Sequence, residues 1–279
     1  MVELQTLTIP KQFFEDEIRN GFNVNQKRKQ VWAIELDLYA KLKSVCEKHN
    51  LSFFADAGTL LGAIRHNGFI PWDDDMDFVM FREDYDYLCK IAGSEFRYPY
   101  FFQSDEEVRR GHIQIRNSET TAIIGYDKER GYKHNQGIFI DIFPIDGLPS
   151  ASERRAYWKE LIDLNEKASN KLKAGEKEEG NKYYREFDIL LKKYPPKNSI
   201  KAALLSYELN GKKGNRFVDD YKKVTNYPFE FIDMVVPNGY ERILRTIYGT
   251  WKKPIIMESD HKDVFFDVSN SYTNYLKNI

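Results

Sequence analysis

The segment Asp75-Met76-Asp77-Phe78-Val79 restricts the fold of this chain more than any other. On a β-strand alternate side chains share a face, so Asp75 and Asp77 point together, about 7 Å apart at the backbone, while Met76 and Phe78 turn into a core. Two carboxylates side by side repel, and without a cation one of them tends to keep a proton. A hard divalent ion such as Mg²⁺ removes that conflict and prefers oxygen ligands. A distant strand, Gly137-Ile138-Phe139-Ile140-Asp141-Ile142-Phe143, carries Asp141 as the lone charge of an apolar run. A carboxylate so placed needs a partner, because burying an unpaired charge is very costly. If the two strands are neighbours, Asp75, Asp77 and Asp141 form a cup for one or two metals, able to clamp the attacking and leaving oxygens of a phosphoryl displacement.

Other polar residues are weighed against blander readings. Asp73-Asp74 alone reads as a solvated loop. A calcium loop fits poorly, since Phe78 stands at the required glycine and Asp84 at the usual glutamate. Gly58-Thr59 fits a phosphate-contacting turn, with glycine admitting close approach and the following helix start offering free N–H donors. Arg65 and His66, just past that helix, are candidates to meet phosphate charge or to form a surface turn. His112, His134 and His261 lack metal-ligand spacing and read as ordinary polar residues. Arg116 is open to a phosphate or a carboxylate partner. Glu35 and Asp37 read as the solvated side of their helix.

The surrounding pattern mixes helices and strands without regular βαβ repetition, which predicts an α/β or α+β fold with a mixed sheet. Residues 26–49 form an amphipathic helix, 51–56 a short buried strand, 60–64 a brief helix and 82–91 another, ending near Gly93. Strands are expected at 98–103, 112–116, 121–125 and 137–143. Residues 150–213, rich in Lys and Glu, read as two or three surface helices separated near Gly180 and Pro195-Pro196. Residues 235–250 read as a Pro-started helix with Tyr240, Leu244, Ile247 and Tyr248 as its apolar face.

With 42 Lys+Arg against 43 Asp+Glu, the chain lacks the basic surplus expected of a nucleic-acid protein. No run approaches the roughly 20 apolar residues of a membrane span, and the opening residues have no signal-peptide pattern. Cys46 and Cys89 lack metal-site spacing, so a reducing, cytoplasmic setting is expected.

The run GTLLGAIRHNGFIPWDDDMDF, residues 58–78, resembles the signature of the LicD family of phosphotransferases, relatives of the fukutin-related proteins. The resemblance extends back over 26–56, forward to GIFIDIFPIDG at 137–147, and returns in VPNGYERILRTIYGTWKKP at 236–254; Thr250 departs from the acidic residue many members carry. It implies a nucleotidyltransferase-like core, taken as residues 1–149; residues 150–230 fall outside the resemblance and read from their composition as a helical insertion or lid, with 231–279 a C-terminal segment packing back on the core. It places Gly58 and Thr59 in the phosphate turn, Asp75 and Asp77 as the metal-binding pair, Asp141 as the third acid, and Asp73 as a further candidate ligand. The implied cofactor is Mg²⁺, with Mn²⁺ as a substitute. The implied reaction moves a phospho-alcohol, phosphocholine foremost, from CDP-choline or another CDP-alcohol to a glycan or lipid-linked glycan acceptor of the cell surface or a teichoic acid, with transient contact at the inner membrane face. A choline head group suits an aromatic cage, for which Trp72, Tyr126 and Tyr132 are candidates. The alternatives are a metal-dependent nucleotidyltransferase, a nucleotide-sugar glycosyltransferase, and a binding protein that has lost catalysis.

Overall fold

A computed structural model of the chain describes residues 1–125, 134–207, 209, 215–256 and 264–276. A hairpin of β1 (Glu17–Arg19) and β2 (Phe22–Val24) leads into α1 (Gln26–His49), then β3 (Phe54–Ala55) and α2 (Ala57–His66). Next come β4 (Asp77–Phe81), α3 (Arg82–Glu95), β5 (Tyr100–Gln103), α4 (Asp105–Val108), β6 (Ile113–Asn117), β7 (Thr121–Ile123) and β8 (Ile138–Gly147). The second half holds α5 (Arg154–Lys173), α6 (Lys177–Leu191), β9 (Lys201–Ala203) and β10 (Arg216–Phe217). It closes with β11 (Val224–Phe229), β12 (Ile232–Pro237), α7 (Tyr240–Tyr248), β13 (Phe265–Asp267) and α8 (Thr273–Leu276).

The fold is α/β, centred on a mixed sheet in the order β10-β9-β8-β4-β3, with β6 also paired to β8 and β5 paired to β6. The long strand β8 pairs parallel to β4 and antiparallel to β6 and β9. It is buried throughout, which explains its near-continuous apolar sequence. On one face Tyr39 of α1 stacks on Phe78 at 5.4 Å. The opposite face of β4 and β8 presents Asp77 and Asp141. A second apolar cluster joins α5 and α6 through Tyr157, Leu161, Phe187 and Leu191 to Leu148 and Leu205.

Several expected elements differ in detail. The strand expected over 51–56 is confined to β3, and Asp75 lies ahead of β4, which begins at Asp77. The strand expected over 137–143 runs on to Gly147, because Asp146 is paired with Arg82 at 2.6 and 2.8 Å and need not leave the interior. The break between α5 and α6 falls at 174–176. Gly180 lies inside α6, where an added Cβ would meet Leu172. Beyond Pro195-Pro196 the chain forms β9, not a further helix. Val235 and Val236 belong to β12, paired with β11, so α7 starts only after the Asn238-Gly239 turn. Its fully buried residues are Ile243 and Leu244, while Tyr248 remains 41% exposed.

Glu35 and Asp37 also correct the sequence reading: both are buried, because α1 is enclosed over nearly its whole circumference between Val31 and Tyr39. Asp37 is satisfied there, accepting from the backbone N–H groups of Thr6 and Leu7 and from the Tyr100 hydroxyl at 2.7–2.8 Å. It fastens the N-terminal segment to the core.

Candidate active site

The site begins with sheet register. Asp77 of β4 lies opposite Asp141 of β8, and Asp141 lies opposite Gln114 of β6. On the other side the Asp56 N–H donates to the Asp77 carbonyl at 3.0 Å. Four polar side chains therefore stand in one row across β3, β4, β8 and β6. Asp75 reaches this row from the preceding loop: carboxylate oxygens of Asp75, Asp77 and Asp141 lie within 4.8 Å of one another, and those of Asp73, Asp74 and Asp75 form a second group of the same tightness.

The loop that carries these acids is held from below. Arg28 and Trp32 of α1 donate to the Asp73 carbonyl at 2.6 and 3.1 Å, and the Asp73 N–H donates to the Ile70 carbonyl at 2.9 Å. The missing side chain at Gly58 makes room for the Asp73 carboxylate, which an added Cβ there would push aside. Thr59 accepts the Asp77 N–H through Oγ1 at 2.8 Å, tying the start of α2 to the start of β4. Gly58 and Thr59 thus lie in the first turn of α2, beside the acids.

Burial holds the Asp77 carboxyl well above the usual carboxylate range, and the charges of Asp75, Asp141, Asp56 and Asp73 push it further. Asp73 is raised by burial and by Asp75. Glu35, beneath the loop, is raised by burial and then by Asp75, Asp74 and Asp73; among the described residues its buried Oε2 has no hydrogen-bond partner. Asp56 is clasped by Arg216 at 2.8 and 2.7 Å. So much negative charge in one enclosed place favours a cation among these oxygens.

The remaining candidates are more scattered. Arg65 and His66 lie at the far end of α2; Arg65 donates to His66 Nε2 at 2.9 Å and to the Trp251 carbonyl at 2.8 Å. Burial, with Arg65 and Arg19 nearby, pushes His66 down to about 4, so its ring is neutral near pH 7. Trp72 is buried, edge-on to Phe22 and His66. Tyr126, Tyr132 and His261 lie outside the described residues. Arg116 is buried in the sheet and donates to Gln103, Gln114 and Gly137.

Three residues join the site without having been singled out for it. His112 Nε2 is 3.2 Å from Asp141 Oδ1, and Gln114 Nε2 donates to the same oxygen at 2.7 Å. Their period-two spacing in His-Ile-Gln-Ile-Arg was visible, but not which strand they would face. Tyr248 of α7 is held neutral by desolvation and by the charges of Asp77, Asp56, Asp73 and Asp75.

Residues 50–171 match the family described as LicD/FKTN/FKRP, nucleotidyltransferase domain. The lipopolysaccharide cholinephosphotransferase LicD of Haemophilus influenzae (strain ATCC 51907 / DSM 11121 / KW20 / Rd) is 27% identical over 248 residues, covering 81% of this chain and 91% of that protein. Shorter stretches match uncharacterized proteins of Rickettsia prowazekii (strain Madrid E), 44% identical over 59 residues, and of Rickettsia typhi (strain ATCC VR-144 / Wilmington), 46% identical over 83 residues. These cover 20% and 29% of this chain and 22% and 25% of the two relatives. The matched segment contains Gly58, Thr59, Asp75, Asp77, Gln114 and Asp141, so the residues of the acid site fall within the stretch similar to the LicD-family domain.

Proposed function

We propose that the chain is a phosphotransferase that moves a phospho-alcohol, phosphocholine foremost, from a CDP-activated donor to a sugar hydroxyl of a cell-surface glycan or teichoic acid precursor, releasing CMP. The observation that carries this reading is the convergence of Asp75, Asp77 and Asp141 beside the first turn of α2. The name of the Haemophilus influenzae relative supports phosphocholine as the group transferred and lipopolysaccharide as one acceptor.

The donor set fits a hard divalent cation: every candidate ligand is a carboxylate oxygen, and the enclosed acids are strained by mutual repulsion. Asp75, Asp77 and Asp141 would hold Mg²⁺, with Mn²⁺ as a substitute and Asp73 as an additional ligand. Such an ion supplies neutralising charge for a diphosphate and its leaving group. The chain's own residues supply the remainder. Backbone N–H groups at the first turn of α2 are suited to an anion, and the missing side chain of Gly58 leaves room for the Asp73 carboxylate beside that turn. The sugar oxygen bonds to the distal phosphorus as its proton passes to a carboxylate of the cup, and the bond to CMP breaks.

No helix among the described residues is long and apolar enough to cross a membrane. We place the chain in the cytoplasm, meeting lipid-linked acceptors at the inner membrane face. The test is product analysis with CDP-choline and CDP-ribitol, an acceptor glycan, and EDTA or Mg²⁺. Mg²⁺-dependent CMP release matched by phosphocholine on the glycan is expected. Pyrophosphate released from CTP, with no CMP from either donor, would replace this reading with nucleotidyl transfer.

A further inference from the structure

We propose that Gln114, locked in orientation by Arg116, is a positioning residue that sets the Asp141 carboxylate for cation binding; the inference rests on the carboxylate cup proposed above and deepens it. Strand alternation puts His112, Gln114 and Arg116 on the face of β6 that adjoins Asp141, with Gln114 directly opposite it.

A glutamine amide presents a donor and an acceptor of nearly equal shape, so its second partner decides which end meets a carboxylate. Here Arg116 donates to Gln114 Oε1 at 2.5 Å, and Gln114 Nε2 donates to Asp141 Oδ1 at 2.7 Å. Guanidinium has no acceptor atom, so the amide cannot reverse without setting donor against donor and oxygen against carboxylate. Arg116 is itself fixed, donating to Gln103 Oε1 and to the Gly137 carbonyl at 2.8 Å each, 4.6 Å above the Phe139 ring. His112 Nε2, 3.2 Å from the same Asp141 oxygen, reinforces the arrangement, with its ring packed on Phe143.

The array begins on a fully buried guanidinium and ends on one acid of the cup. Apolar residues of similar volume would make a core at least as stable, so burying this chain of polar groups is better explained by what it does to Asp141. It holds the plane of that carboxylate against β6 while Asp75 and Asp77 approach from the other strand and loop.

The test compares Mn²⁺ affinity by calorimetry, below the melting transition, for wild type, Gln114→Met and Gln114→Asn. Methionine offers neither an N–H to Asp141 nor a carbonyl to Arg116. Asparagine keeps the amide but is one methylene too short to bridge both. Both variants are expected to bind Mn²⁺ at least about tenfold more weakly and to lose turnover in step. Should the methionine variant fail to fold, the asparagine variant decides. A role in stability alone would lower melting temperature and leave Mn²⁺ affinity unchanged in the folded protein, which overturns the inference while the cup survives. A wild-type protein that takes up no Mn²⁺ overturns both.

Discussion

Burial and the charges of Asp75 and Asp141 hold the Asp77 carboxyl above its ordinary range, so the isosteric amide should relieve the folded chain while removing a proposed ligand. Asp77→Asn is expected to abolish transfer and, without metal near pH 7.5, to leave stability unchanged or raise it by about 1 kcal/mol. Turnover and urea unfolding check the two halves, and retained turnover would sink the ligand role. Gly58 makes a separate point, because the room it leaves is already taken by the Asp73 carboxylate. Gly58→Ala should displace that carboxylate, raise the KM for donor and cut kcat/KM at least about tenfold, with stability changed by about 1 kcal/mol or less. Wild-type donor kinetics in this variant would remove the turn at Gly58 from the mechanism.

Among the elements, the hairpin of α5 and α6 turns on Gly180, whose missing side chain is what lets Leu172 approach. Gly180→Val should therefore overpack the contact and cost about 1–3 kcal/mol in chemical unfolding, although glycine is the poorer helix former. A stabilised variant would show that the helices can part freely. The same glycine marks where sequence reading ran out, since a helix-breaking residue and a helix-packing residue look alike without the partner helix. The helix over 26–49 was legible from its periodicity, and the convergence of Asp75, Asp77 and Asp141 was legible on condition that two strands were neighbours, which β4 and β8 are. Glu35 and Asp37 were misread because a polar side chain on a helix implies water only when that side of the helix is open. Gln114 and His112 were visible as one strand face, but their partner on β8 is 27 to 29 residues away in the chain. The start of α7 was misplaced because β-branched Val235 and Val236 also suit the strand that pairing with β11 makes them.

Across the whole molecule the acids make stability depend on pH in a direction opposite to ordinary acid denaturation. Asp73, Asp77 and Glu35 all have carboxyls raised in the folded chain, so between their unfolded and folded values the folded state holds more protons. Stability then rises as pH falls through neutrality toward the ordinary carboxylate range. His66 opposes this: its folded value of about 4 lies below the unfolded one, so the unfolded chain takes up that proton first. Three raised carboxyls, the Glu35 one fully buried, outweigh one half-buried imidazole. Glu95 and Asp267, held down near 2 by their hydrogen-bond partners, act in a lower window. Their contribution is complete above the unfolded carboxylate value and is lost as pH falls through the folded one, which keeps the optimum near about pH 5. A cation in the cup would offset the repulsion where the acids are ionised. Melting followed from pH 5 to 8 in EDTA should therefore show a falling midpoint, and Mg²⁺ should raise it more at pH 8 than at pH 5. A metal-free midpoint that climbs toward pH 8 would contradict the buried-acid account, whereas a Mg²⁺ effect independent of pH would place the ion away from these carboxylates.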